Sequence, residues 1–222
     1  MTSSSTLAEK NLHDLTLLPE HQRDAKWEQQ FLRGLPQARL ELIHPSAQQG
    51  ADSWPYLFCR TVAHDSGGEP ASRILHWLAE RGIGLAINPD KQAPDFVLTY
   101  GMLWNYRMTG HFLSEHPIQA SSQLEFQKDQ KILAGPPIEA YLPGFVRGIL
   151  RDFLLEQGVL RPRITIVSAD RHHYDLCFSL ESLGNPPASE HRQLLEAFAW
   201  FLPAHYTLAI ISEKEIPAFI DL

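Results

Sequence analysis

Cysteine is nearly missing from this chain: two thiols, Cys59 and Cys177, serve 222 residues. That excludes a disulfide-stapled scaffold. Each thiol sits inside an apolar run, Tyr56-Leu57-Phe58-Cys59 or Leu176-Cys177-Phe178, and reads as reduced, buried and inert. Basic stretches are missing as well. The charge is 19 Lys+Arg against 26 Asp+Glu, a net of −7, and no segment concentrates Lys and Arg. A phosphate backbone would find no electrostatic driver, so nucleic acid is not an expected partner. No apolar run reaches bilayer length, so no membrane insertion is expected. The segment Met1–Lys10 has neither the basic start nor the apolar middle of a signal peptide, and the expected address is the cytoplasm. Catalytic signatures are lacking too. There is no Walker-type phosphate loop and no Gly-x-Ser-x-Gly elbow, and Gly82-Ile83-Gly84 precedes a strand where a dinucleotide fingerprint opens a helix.

What remains is an ordinary globular composition, 44% hydrophobic and 20% charged, carrying one order of elements twice. Apolar periodicity predicts a helix over Glu20–Leu32, strands over Arg39–His44 and Trp54–Val62, a helix over Pro70–Glu80 and a strand over Ile83–Asn88. The second copy predicts a helix over Leu142–Glu156, strands over Arg163–Ser168 and Asp175–Leu183, a helix over Ser189–Leu202 and a strand over Thr207–Ser212. Matching elements are offset by about 120 residues, close to one small domain length. The expected fold is α+β: two tandem α-β-β-α-β units, with mainly antiparallel sheets and helices on one face. Gly135-Pro136-Pro137 is the strongest linker signal, which divides the chain into residues 1–135 and 136–222.

One segment departs from this scheme. Phe96, Leu98, Tyr100, Met102, Trp104, Tyr106 and Met108 occupy alternate positions, so residues of about 95–109 are expected to form an extra aromatic strand bent at Gly101. A hairpin is expected over Leu124–Ile132. Core strands facing one helix ordinarily use Val, Ile and Leu, whereas aromatics, Met and Arg are enriched in recognition surfaces. The candidate binding residues are therefore Tyr100, Met102, Trp104, Tyr106 and Arg107, weighed against plain core packing.

Residues Leu142 to Glu213 resemble the C-terminal domain of the SseB (enhanced serine sensitivity) family of bacterial proteins. The likeness rests on the amphipathic helix from Leu142, the paired strands around Ile164 and Leu176, the helix ending Phe201-Leu202-Pro203 and the strand Thr207-Leu208-Ala209-Ile210-Ile211. In the first half, Pro55-Tyr56-Leu57-Phe58 and Gly82-Ile83-Gly84-Leu85-Ala86-Ile87-Asn88-Pro89 look like the family's strands. The resemblance implies a two-domain protein and supplies no catalytic residues.

Two polar clusters offer chemistry. Asp170-Arg171-His172-His173-Tyr174-Asp175 holds metal-ligand residue types, and His172 with Asp175 could pair as base and orienting acid. The cluster falls in a turn between strands, where neighbouring side chains diverge, so a polar hairpin loop is the better reading. His64-Asp65-Ser66-Gly67-Gly68 holds hydrolase residue types within one loop, but a triad draws its members from separate elements. No catalytic residue, metal site or cofactor is expected. The sequence is read as a non-enzymatic binding protein with a protein partner or a second copy of itself. The alternatives are an enzyme using the Asp170–Asp175 loop, or a secretion-linked accessory protein.

Overall fold

A computed structural model describes residues 11–63, 67–91, 93–114, 120–121 (backbone only) and 131–222. The loop residues 64–66 and most of the expected hairpin, residues 124–130, lie outside this set.

The described residues open with α1 (Leu12–Thr16) and α2 (Ala25–Gly34). The Asp24 side chain caps α2 by accepting from the N–H groups of Lys26 and Trp27, both at 3.0 Å. Helix α2 turns Trp27, Phe31 and Leu32 inward. A hairpin follows, β1 (Arg39–Leu42), the short β2 (Gln48–Gln49) and β3 (Pro55–Thr61). After β4 (Glu69–Pro70), α3 (Ala71–Ala79) carries the chain back over the sheet, so that β5 (Gly84–Ile87) lies parallel to β3. Next, β6 (Phe96–Leu98) adds antiparallel to β5 and leads into α4 (Tyr100–Thr109).

The second half repeats the plan. Two short strands, β7 (Ala120–Ser121) and β8 (Leu133–Gly135), precede α5 (Gly144–Glu156). The antiparallel pair β9 (Arg163–Ser168) and β10 (Asp175–Ser179) comes next, then α6 (Ala188–Phe201) and a parallel return as β11 (Thr207–Ile211). The short β12 (Ile220–Asp221) closes the chain against β9. The α-β-β-α-β order thus yields the same strand pattern twice. In each sheet an antiparallel pair is extended by a parallel third strand, β1-β3-β5 and β9-β10-β11. The fold is α+β, with two mixed sheets in which antiparallel pairing dominates. Gly135 ends a strand paired with β9, and β7 pairs with β11, so the second sheet also draws on residues that precede the Pro136-Pro137 signal.

Side chains on the two faces of β3 enter different cores. Leu57 and Cys59 join α1, α2 and α3 in the first cluster, with Leu85 and Ile87 from β5. Tyr56 and Phe58 face the opposite way, into a second cluster made largely by α5, α6 and the second sheet. Helices α5 and α6 therefore lie between the two sheets and serve both. Trp54, just ahead of β3, is the clearest link: its ring stacks on Phe153 of α5 at 3.9 Å and on Phe201 of α6 at 4.5 Å, within 5° of parallel to each. A third, smaller cluster of Val167, Cys177, Ala209, Ile211 and Phe219 covers the far face of the second sheet.

The expected aromatic strand over 95–109 is corrected by the structure: only Phe96–Leu98 is strand, and Tyr100–Thr109 is helix α4. Thr99 caps it, its hydroxyl accepting from Met102 N–H at 3.4 Å. Gly110 ends it in the left-handed region (φ 81°), donating to Tyr106 O at 2.8 Å. Alternation by two misleads here for a physical reason. Every second residue on a helix advances about 200°, so such residues fall by turns on opposite sides of the cylinder. Tyr100 and Trp104 enter the second core while Met102 and Tyr106 pack on the first. A helix wedged between two cores needs apolar residues on both sides, and that requirement copies a strand's period. Gly101 is the point of closest approach, where a Cβ would lie 2.8 Å from the carbonyl carbon of Leu202 at the end of α6.

Candidate functional site

Helix α4 separates the five sequence-predicted residues instead of presenting them together. Tyr100 is buried in the second core, its ring edge-on to Phe145 at 6.3 Å. Met102 is half-buried on the first core. Tyr106, on the same side, stacks on Phe112 at 4.3 Å. Arg107 is exposed and pairs with Glu80 at 3.3 Å. Trp104 remains half-exposed, one turn beyond Tyr100 on the second-core side.

Around Trp104 the fold assembles rings that are remote in sequence. His205 lies 4.3 Å from it, centre to centre, and Tyr206 is 4.0 Å beyond. Tyr141 stands edge-on to both His205 and Tyr206, at 6.5 and 5.3 Å, and continues to Tyr174 at 6.1 Å. Hydrogen bonds fix two of these rings: the Tyr206 hydroxyl donates to Tyr141 O at 2.8 Å, and the Tyr141 hydroxyl to Tyr174 O at 3.0 Å. Desolvation by the neighbouring rings pushes the His205 imidazole down to about 4, although the residue as a whole is exposed. The histidine is therefore a neutral aromatic at physiological pH. Met108 (62% exposed) follows Trp104 on the same side of α4, and Phe145 (39% exposed) follows Tyr100 across the gap to α5. Together they form an aromatic and apolar surface at the seam between the halves, rimmed by the Arg107–Glu80 pair. Sequence reading reached Trp104 but missed His205 and Tyr141, because nothing local links residues brought together only by tertiary packing.

On the other side of α4 a groove of about 940 Å³ opens between the end of α2 and the turn after α4. Tyr106 and Phe112 form one wall and Leu32 and Pro36 contribute to the other, with Arg33 and Gln37 at the rim.

The Asp170–Asp175 loop is held by its own atoms. Asp170 accepts from the N–H groups of His172 and His173, both at 2.8 Å, and meets His173 Nδ1 at 2.6 Å. Those bonds hold its carboxyl well below the usual range and raise the His173 imidazole. The acid–histidine pair is thus Asp170 with His173, not Asp175 with His172, and the His173 side chain is 90% exposed. Its partners all belong to the loop itself. Among the described residues no three His, Cys, Asp or Glu side chains gather to hold a metal ion. Cys59 and Cys177 are free and fully buried; burial pushes the Cys59 thiol up to about 12 and that of Cys177 further in the same direction. No helix among the described residues is long and apolar enough to cross a membrane.

Compared with known protein families, with curated proteins and with solved structures, the chain finds no match.

Proposed function

We propose that this protein is a non-enzymatic binding module, of the kind that its resemblance to the SseB family implies, and that it engages a protein partner through the Trp104 surface. The observation that carries the proposal is the placement of Trp104. Its ring is half-exposed against His205, which rests on Tyr206 and Tyr141, both held by hydrogen bonds, and Met108 is exposed one turn further along the same side of α4. A large aromatic held rigidly at the surface suits a binding anchor, because little side-chain entropy remains to be lost on association. The Arg107–Glu80 pair supplies a polar rim of the sort that surrounds such anchors. Two free, buried thiols fit a reducing, cytoplasmic setting.

The test is affinity capture of the tagged protein from its native cells, comparing wild type, Trp104→Ala, Met108→Ser and Leu160→Ser. Leu160 is 89% exposed and belongs to none of the three apolar clusters, so it serves as the control. The proposal expects a defined partner retained by wild type and by Leu160→Ser and lost from the two α4 variants. Equal capture by all four would refute it. Loss of self-association alone would identify the partner as a second copy.

A further inference from the structure

We propose that the groove between α2 and α4 is a binding site for an acidic peptide segment in extended conformation. The chain carries 26 carboxylate side chains and a net charge of −7, yet no carboxylate lines the groove among the described residues. The lining contains one full cation, Arg33, which makes no ion pair among the described residues. An exposed guanidinium with its planar fork free is matched by a carboxylate, which it grips through two parallel bonds. The side-chain amides of Gln29 and Gln37 and the hydroxyl of Tyr106 also line the groove, and none makes a hydrogen bond within the described residues. Donors on both sides of a cleft suit the carbonyls of an extended backbone, which repeat along its length.

The far wall is built before any ligand arrives. The Asn105 amide donates to the carbonyls of His111 at 2.8 Å and Leu113 at 3.0 Å, and the Thr109 hydroxyl accepts from His111 N–H at 3.2 Å. These bonds fold the turn after α4 back against the helix and hold Phe112 on Tyr106, which leaves Leu113 exposed beside the stacked rings. That apolar strip gives a second anchor point, suited to an aromatic or aliphatic side chain next to the acid. A small anion would use Arg33 alone. A groove of about 940 Å³, near the upper limit for small-ligand pockets, has room for several residues. This site lies on the other side of α4 from Trp104 and does not rest on the function proposed above.

The experiment titrates the full chain with the acetylated, amidated tetrapeptide Glu-Phe-Glu-Phe, with its Gln-Phe-Gln-Phe counterpart and with inorganic phosphate, following backbone amide shifts. The proposal expects the acidic peptide to shift residues 29–37 and 105–114 and to bind about tenfold or more tightly than the amide peptide, the scale of one charge-assisted hydrogen bond. Arg33→Gln should erase that difference, with the rest of the spectrum intact, and Trp104→Ala should leave it unchanged. Shifts elsewhere or none, equal binding of the two peptides, or an Arg33→Gln variant that still discriminates would each overturn the proposal. Full displacement of the peptide by equimolar phosphate would also overturn it, leaving a simple anion site.

Discussion

Replacing Trp54 by alanine tests whether the two sheets depend on one shared core. The indole is 1% exposed and lies between Phe153 of α5 and Phe201 of α6, at 3.9 and 4.5 Å. Removing it leaves a cavity bounded by both rings and strips the contact between the start of β3 and the helices of the second half. A buried aromatic truncated to alanine costs about 3–5 kcal/mol, and a pair of stacked rings holds the surroundings too rigidly for easy collapse. In a chain of this length such a loss lowers Tm by roughly 6–20 °C. The assay is urea unfolding followed by two probes: amide signals from β3 and β5 for the first sheet, and from β10 and β11 for the second. Both sets should move to lower urea together, because one ring supports both. Destabilisation below about 1 kcal/mol, or a first sheet that melts early while the second keeps its wild-type midpoint, would refute the shared core.

Three further outcomes follow from other sites. Gly101→Ala would push a Cβ against the Leu202 carbonyl and so is expected to destabilise by about 1–3 kcal/mol in thermal unfolding, as an overpacked contact does; an unchanged Tm would show that α4 and α6 do not meet as closely as described. The Asp95 side chain is 2% exposed, and although burial alone would raise its pKa, hydrogen bonds from Lys91, Asn88 and Arg23 hold the carboxyl below its ordinary value. Its stabilisation is therefore complete above the unfolded pKa of about 4 and is lost as pH falls through the lower folded value. Asp95→Asn should flatten the acid limb of the stability–pH curve, and an unaltered limb would contradict the network. Asp170→Ala should lower the His173 pKa toward its ordinary value in an NMR titration, since Asp170 is the main cause of its rise; an unshifted titration would remove that pair from the account.

The helices with one buried stripe and the strands with continuous apolar runs were legible from the sequence. β9 matches its expected bounds, and α3, α5, α6 and β11 differ by one or two residues at their ends: each helix presents one apolar stripe, while β9 and β11 are buried on both faces, between the second and third clusters, and read as near-continuous apolar runs. Helix α4 was not legible as a helix. It serves two cores, and residues on opposite sides of it reproduce a strand's alternation. Also hidden were β2, β4, β7 and β12, strands of two residues that exist through pairing and carry no periodic signal of their own. Of the candidate site, Trp104 was found by residue type. His205, Tyr141 and the Arg33 groove were not, because each depends on segments that meet only in the folded chain.

The most direct test of the proposed binding surface is a photoreactive phenylalanine analogue placed at position 104 and activated in living cells, with the same analogue at position 160 for comparison. Trp104 is half-exposed at the seam between the halves, and Leu160 is exposed and outside every apolar cluster. The account predicts one discrete cross-linked protein from position 104 and none from position 160. Equal, diffuse labelling from both positions, or no adduct at 104 from a folded and fully expressed chain, would contradict it.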